Sequence, residues 1–260
     1  MSSDESKRTA SAASSRSEST LPQIDVSERA GQHTGRPQVL HSRLFMQLLV
    51  LDCCDDGHPA DALKWISEQL QAKALPSVLY LDVNDPRGFG LLTWSEEPSH
   101  FVTRVRPLLL DSSSSDVRFA RRFAMLGRTY ATGYEPDLRY WLIDRPRETV
   151  LNEAWPWAIW YPLRRTGAFG RLAPLEQSAI LKEHALIGRA YGAQDLAHDV
   201  RLACHGLDVD DNEFVIGLIG SSLHPLSHVV ESMRKTRQTS EFISQMGPFF
   251  VGRVAARIPG

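Results

Sequence analysis

The chain has 260 residues, of which 42% are hydrophobic and 23% are charged, and its formal net charge at pH 7 is -2. This length allows one large domain or two small ones, and the balanced charge gives no basic field that would indicate a nucleic-acid partner. No apolar run is long enough to span a membrane, and the first residues lack the apolar core of a secretory signal. We therefore expect a globular protein with no nucleic-acid partner and no membrane span.

The cysteines indicate a reducing environment. Cys53, Cys54 and Cys204 provide neither a disulfide framework nor the spacing of a metal site. We therefore expect a cytoplasmic protein. The adjacent Cys53 and Cys54 could be redox active, but the favoured interpretation is two small buried hydrophobes at the end of a strand.

The first half of the chain begins with a polar segment and then alternates strands and helices. Residues 1–40 are rich in serine and charged side chains and offer little apolar material, so we predict a disordered tail. The apolar run 44–54 predicts the first strand, and helical spacing of leucines and isoleucine over 58–73 predicts an amphipathic helix. The next predicted elements are strands around 77–83 and 88–95 and a helix around 96–109, before the break DSSSSD at 111–116.

The second half of the chain repeats the first. Residues 81–106 and 207–234 both contain an LDV-x-D turn, then an apolar strand, then a helix that begins at serine. A repeat of this length indicates two copies of one unit. Each copy follows the order strand, helix, strand, strand, helix, strand, which is the ferredoxin-like split βαβ pattern. We therefore predict an α+β fold of two ferredoxin-like halves, 41–135 and 136–260, with their sheets packed together.

The strand that opens the second half carries unusual residues on one face. Pro162 cannot donate to a β ladder, so it indicates an edge strand or a bulge. Tyr161 alone could be a core residue with its hydroxyl bonded, and Arg165 a surface cation whose stem packs on apolar groups. The residues that alternate onto this face of 157–165 are Trp157, Ile159, Tyr161, Leu163 and Arg165.

A histidine and several arginines are the other candidates for a site. The helix predicted over 174–192 places His184 on an apolar stripe, where a histidine is more often a satisfied core residue than a ligand. In the strand predicted over 199–207, Arg201 lies on a face with a small alanine, which fits a rim salt bridge or an anion-facing pocket. Upstream, Arg145 and Arg147 could bind carboxylates bidentately or pair with neighbouring acidic residues on the surface.

Five segments, in the order WYPLRR, KEHALIGRAYG, GLDVDDNEF, MRKTRQTSEF and PFFVG, resemble the C-terminal half of the chlorite dismutase-like superfamily of haem proteins. The resemblance covers residues 157–254 and is greatest to the coproheme decarboxylases. It implies a dimeric α+β barrel within one chain, in which 41–135 is the haem-free half and 136–260 binds haem or coproheme. It also implies assembly as a homopentamer.

The resemblance assigns a role to each candidate. It implies that His184 is the proximal ligand of the haem iron and that Tyr161 is the catalytic tyrosine. Arg201 falls at the catalytic distal position, where chlorite dismutases have arginine and many decarboxylases have glutamine. The implied contacts with the porphyrin and its propionates are Arg147, Leu163 and Arg165.

Two positions depart from the decarboxylase pattern. Leu163 replaces a frequent methionine, and Arg165 replaces a lysine near the propionates. Arginine keeps the charge of that lysine but cannot take part in proton transfer. The tryptophan pair usual in chlorite dismutases is absent, since AFGRL stands at 168–172.

The resemblance implies conversion of Fe-coproporphyrin III to haem b by decarboxylation of two of its four propionates. Hydrogen peroxide would oxidise the ferric centre, which would take an electron and a proton from Tyr161. The tyrosyl radical would then abstract a hydrogen from the propionate β-carbon, and CO2 would leave. Three alternatives stay open: a chlorite dismutase-like or peroxidase-like haem b enzyme that uses Arg201, a non-enzymatic haem carrier or sensor, and a haem-free structural protein.

Overall fold

The computed structural model of the protein describes residues 21–33, 35–53, 59–111 and 119–260. Within these ranges, no helix is long and apolar enough to cross a lipid bilayer. Two π-helical turns, Phe101–Val105 and Tyr140–Asp144, lead directly into the second and third α-helices. The helices are α1 (Pro59–Ala72), α2 (Arg106–Asp111), α3 (Arg145–Leu151), α4 (Gly167–Gly170), α5 (Pro174–Ala193), α6 (Leu223–Arg234) and α7 (Arg237–Phe242). The strands are β1 (Glu28–His33), β2 (Arg36–Leu40), β3 (Phe45–Cys53), β4 (Ser77–Asp82), β5 (Gly88–Ser95), β6 (Phe119–Arg128), β7 (Trp157–Arg165), β8 (His198–Ala203), β9 (Phe214–Gly220), β10 (Ile243–Met246) and β11 (Phe250–Ile258).

Each half of the chain forms a four-stranded antiparallel sheet with the same strand order. The order is β4-β5-β3-β6 in the first half and β8-β9-β7-β11 in the second. Numbered within its own half, each sheet is 2-3-1-4, which is the order of the split βαβ unit. The α+β prediction of two ferredoxin-like halves is confirmed.

The two sheets close into one barrel. Strand β11 pairs with β4, and β6 pairs with β8 through Arg128 and Ala203, so eight strands form a continuous ring. Closure leaves the central strands without free edges. Large side chains such as Tyr80, Trp160 and Phe250 fill the interior of the ring. The dimeric α+β barrel within one chain is therefore confirmed as well.

The helices cover the outside of the barrel unequally. In the first half, Ile66 and Leu70 of α1 are fully buried against the sheet. In the second half, the 20-residue helix α5 buries only Ile180 fully, although it occupies the same place in the repeat. Helix α6 packs more closely, through Leu226 and Val229. The outer face of the second sheet below α5 is therefore less filled by helix side chains than its counterpart in the first half.

The prediction of a disordered tail over residues 1–40 does not hold for its last part. Strands β1 (Glu28–His33) and β2 (Arg36–Leu40) pair antiparallel, so the prediction is wrong for these residues. Polar contacts hold these strands in place of apolar burial, since Glu28 accepts from Arg43 and Gln38 donates to the carbonyl of Glu135. Residues 1–20 lie outside the described ranges.

Pro162 does not lie on an edge strand. Strand β7 has β9 on one side and both β10 and β11 on the other, so this alternative is wrong. Pro162 stands where the second partner changes, because β11 pairs as far as Trp160 and β10 pairs from Leu163. The carbonyl of Pro162 accepts from the backbone N–H of Gly247 at 2.9 Å in this gap.

Two of the cysteines, Cys53 and Cys204, are buried. Cys53 ends β3 in the protein interior, as its position in the sequence predicted, whereas Cys54 lies outside the described residues. Cys204 donates to the carbonyl of Asn212, and burial raises the pKa of its thiol to about 12. A thiol with so high a pKa is a poor nucleophile at neutral pH.

Candidate functional site

A row of side chains crosses the outer face of the second sheet. Arg201 of β8 pairs with Ile216 of β9, and Ile216 pairs with Tyr161 of β7. All three lie on the outer face, because their chain neighbours, including Val200 and Trp160, fill the barrel interior. Two strand spacings separate Arg201 from Tyr161, a distance of about 10 Å between their backbones. The register therefore places an arginine and a phenol on either side of an aliphatic residue.

Tyr161 is a buried phenol on this face. The residue is 5% exposed, and its ring stacks on Phe249 with 4.7 Å between the ring centroids. Burial raises the pKa of the Tyr161 hydroxyl, and the charge of Arg234 opposes that rise only in part. The phenol therefore stays protonated at neutral and mildly alkaline pH. Leu163, also buried, adds an apolar surface two residues further along β7.

Arg165 is fixed at the end of the same face. Its Nε donates to Oε2 of Glu213 at 3.3 Å, and its backbone N–H donates to the same oxygen at 2.8 Å. The guanidinium lies between two rings, 4.6 Å from the centroid of Phe169 and 4.7 Å from that of Phe214. Arg165 is thus a half-buried cation whose position is set by one carboxylate and two aromatic faces.

Arg201 belongs to a three-membered ionic cluster. Its Nε lies 2.8 Å from Oδ2 of Asp199, while Nη2 of Arg145 donates to Oδ1 of Asp199 at 2.8 Å. Burial alone would raise the pKa of Asp199, but the charges of Arg201 and Arg145 hold it below its usual value. Two guanidinium groups therefore share one ionised carboxylate, and the cluster keeps one net positive charge.

His184 faces this cluster from α5. Its Nδ1 lies 3.4 Å from Oγ1 of Thr236, a buried hydroxyl that itself donates to the carbonyl of Met233. Because the Thr236 proton is already used, its oxygen accepts from Nδ1–H of His184, which leaves the lone pair on Nε2. A buried partner of this kind orients an imidazole that binds a metal.

The imidazole of His184 is held neutral. Burial lowers its pKa, the charge of Arg201 lowers it further, and Asp199 and Glu183 oppose this. Neutral imidazole is the form that binds a metal. His184 on α5 therefore lies close to the charges of Arg201 and Asp199, on the side of the barrel where α5 covers the outer face of the second sheet.

Arg147 has a different partner. It lies on α3, and its Nη2 donates to Oε1 of Glu96 at 3.0 Å, just after β5 of the first half. The arginine of this segment that contacts β8 is Arg145, whose guanidinium also lies 4.6 Å from the ring centroid of Trp141. The structure thus brings together five of the predicted site residues and joins Arg147 to the other half of the barrel. The five are Tyr161, Leu163, Arg165, Arg201 and His184.

Tyr130 is a neighbour of the site that sequence reasoning missed. Tyr130 lies on the segment that follows β6, and its ring centroid lies 5.6 Å from that of Phe214. Burial raises the pKa of Tyr130, and the charges of Arg201 and Arg165 oppose the rise, so the phenol stands near both arginines. Tyr130 lies outside the repeated segments 81–106 and 207–234 and outside the five motifs, so no sequence pattern indicates it.

The second half matches a known family. Residues 140–255 match the sequence model of the chlorite dismutase family, so the resemblance noted from the motifs is confirmed at the level of that superfamily. No curated protein sequence is similar enough to the chain to match it.

Solved structures share the fold. The proposed chlorite dismutase TA0507 is 13% identical, with a TM-score of 0.65 over 83% of this chain and 96% of that chain. A haem-binding protein from Thermus thermophilus is 18% identical, with a TM-score of 0.60 over 82% of this chain and 91% of that one. A variant of the chlorite dismutase from Candidatus Nitrospira defluvii is 13% identical, with a TM-score of 0.62 over 83% and 92%. At these identities the likeness establishes the fold.

Proposed function

We propose that this chain, whose C-terminal half is similar to the chlorite dismutases, binds an iron porphyrin between α5 and the outer face of the second sheet. Its axial ligand would be Nε2 of His184. The observation that carries the proposal is the neutral, Thr236-bonded His184 opposite the row Arg201, Ile216 and Tyr161. One nitrogen ligand suits a metal that brings its other ligands in a macrocycle.

The surroundings suit a flat apolar molecule with acidic edges. Ile216 and Leu163 offer aliphatic surface on the sheet, and Arg165 and the Arg201 cluster supply positive charge. Arginine binds carboxylates bidentately, so Arg165 would hold a propionate. Binding to Arg165 would add a carboxylate to a guanidinium that Glu213 already orients. The fit of donor set and charge supports haem b or Fe-coproporphyrin III as the bound group.

We propose further that the substrate is Fe-coproporphyrin III and that the product is haem b, with hydrogen peroxide as the oxidant. The bound iron porphyrin supplies the redox chemistry with peroxide. Tyr161 supplies a protonated, buried phenol that can lose an electron and a proton together and then take a hydrogen atom from a propionate side chain. An arginine side chain does not transfer protons at neutral pH, so the part of Arg165 is to hold a carboxylate.

Two further proposals rest on the family resemblance. We propose that the protein assembles as a homopentamer and that it acts in the cytoplasm. Light scattering coupled to size-exclusion chromatography would give the mass of the assembly. A monomeric mass at micromolar concentration would contradict the pentamer.

Mass spectrometry of the porphyrin tests the proposed activity. Fe-coproporphyrin III bound to the wild type and treated with peroxide should lose two carboxyl groups as CO2, with the matching loss of hydrogen from each side chain. Tyr161→Phe should leave the porphyrin unchanged while still binding it. Tyr134→Phe is the matched control, because Tyr134 is 85% exposed. This variant should convert the substrate as the wild type does. Unchanged porphyrin in the wild type, or equal conversion by Tyr161→Phe, would refute the proposal.

Arg201 favours one second candidate, a chlorite dismutase-like activity. Its Nε lies 2.8 Å from Oδ2 of Asp199 in an ion pair, and its terminal nitrogens could donate to an oxyanion beside the iron. Addition of chlorite to the haem b complex should then release dissolved oxygen, and Arg201→Ala should abolish the release. No oxygen from the wild type would remove this candidate and would leave the decarboxylase proposal untouched.

A further inference from the structure

We propose that Asp199 is a positioning residue, which fixes the guanidinium of Arg201 so that its terminal nitrogens are presented to a small anion bound beside the porphyrin iron. The inference rests on the proposed porphyrin site. Asp199 and Arg201 are two residues apart on β8, so their side chains leave the same face of the sheet. The contact between them uses Nε of Arg201, at 2.8 Å, and this inner nitrogen is the one least able to reach a ligand.

The carboxylate of Asp199 is itself held on its other side. Its Oδ1 accepts from Nη2 of Arg145 at 2.8 Å, and its backbone carbonyl accepts from Nη1 of Arg145 at 2.9 Å. The guanidinium of Arg145 is in turn seated 4.6 Å from the ring centroid of Trp141. Each oxygen of the carboxylate therefore has its own arginine, and the carboxylate cannot turn without breaking one of these contacts.

The arrangement removes freedom that Arg201 would otherwise have. An arginine side chain has many rotamers, and binding a ligand through a mobile one costs conformational entropy. The side chain of Arg201 is 39% exposed, so packing alone does not hold it. Its ion pair with the anchored Asp199 orders it before any ligand arrives. Asp199 would thus act on the ligand only through Arg201.

A purely electrostatic role for Asp199 predicts the opposite effect of substitution. Asp199→Asn removes a negative charge and leaves the two arginines, so simple charge attraction predicts tighter binding of an anion. Loss of the fixed geometry predicts weaker binding, because the guanidinium of Arg201 is then free to leave the site. The sign of the change in anion affinity therefore separates the two roles.

Fluoride binding to the ferric haem b complex provides the test, followed by visible absorbance with potassium fluoride. We expect Asp199→Asn to weaken fluoride binding about tenfold, comparable to Arg201→Ala, and the double variant to be no worse than either single one. Glu96→Gln, which also removes a carboxylate partner of an arginine, is the matched control and should bind fluoride as the wild type does. Unchanged or tighter fluoride binding by Asp199→Asn would overturn the positioning role.

A second variant covers the case in which Asp199→Asn does not fold. Arg145→Lys keeps the positive charge but cannot make both contacts of Arg145 with Asp199, so charge attraction alone predicts no change, whereas we expect weaker fluoride binding, less than in Asp199→Asn. The haem affinity of each variant is measured first from the Soret band, so that a failure of the porphyrin site is distinguished from a failure of the role of Asp199. A wild type that binds no haem would overturn the porphyrin site and this inference together, whereas normal haem binding with unchanged fluoride affinity in both variants would overturn only the role of Asp199.

Discussion

His184 should lower the free energy of unfolding of the protein as the pH falls, and His184→Gln should remove the part of this decrease that comes from His184. Burial lowers the pKa of His184 in the folded protein, whereas in the unfolded chain it returns to about 6.5. Above pH 7.5 the imidazole is neutral in both states and contributes nothing. As the pH falls below about 6.5, the unfolded chain takes up a proton that folded His184 takes up only at lower pH, so the free energy of unfolding decreases.

The size of the effect follows from one proton. The free energy of unfolding changes by at most about 1.4 kcal/mol per pH unit while only the unfolded state is protonated. Between pH 7.5 and 5.5 the upper limit of the loss is about 1.4 kcal/mol, because the unit from pH 7.5 to 6.5 lies above the unfolded pKa, where the unfolded chain takes up little of the proton.

Urea unfolding of the haem-free protein, followed by tryptophan fluorescence at pH 7.5, 6.5 and 5.5, measures this effect. Burial also lowers the pKa of His100, so the wild type loses stability from both residues, and the difference between wild type and His184→Gln isolates His184. Exposed His41 provides the control substitution, His41→Gln. Equal losses in wild type and His184→Gln between pH 7.5 and 5.5 would refute the reasoning.

Three further substitutions test the packing and the contacts. Gly217→Ala would bring a methyl group to 2.6 Å from ring atoms of Trp160, so we expect a loss of about 1–3 kcal/mol in urea unfolding, and an unchanged midpoint would contradict the packing. Thr236→Val removes the acceptor for Nδ1 of His184 and should weaken porphyrin binding about tenfold in a Soret titration, whereas Thr236→Ser should bind normally. Arg147→Ala breaks an ion pair whose side chains are 32% and 31% exposed, so the free energy of unfolding should fall by about 1 kcal/mol or less, and a larger fall would show a further role for Arg147.

The fold could be predicted from the sequence because each copy of the repeat is a continuous segment of the chain. Each ferredoxin-like unit shows its strands and helices in order, and the LDV-x-D turns mark the same point in both halves. The pairing of β1 with β2 was missed because polar contacts such as that of Glu28 with Arg43 hold these strands, and hydrophobic patterning does not detect them. Pro162 was misjudged because a change of partner strand is decided by residues far along the chain.

Only the side chains of the site that lie on strands could be placed from the sequence pattern. Alternation placed Tyr161 and Leu163 on one face of β7 and Arg201 on one face of β8, and the strand register puts all three on the outer face of the sheet. The contacts that set the chemistry are long-range in sequence. Thr236 meets His184 across 52 residues, and Arg145 meets Asp199 across 54, so no local pattern indicates either pair.

A titration of the haem-free protein with Fe-coproporphyrin III, followed at the Soret band, tests the porphyrin site most directly. We expect the wild type to give a saturable, shifted Soret band at one porphyrin per chain. His184→Ala should lose the shift of an imidazole-bound iron while keeping its fold by circular dichroism. No shifted band in the wild type, or the same band in His184→Ala, would contradict the assignment of His184 as the axial ligand.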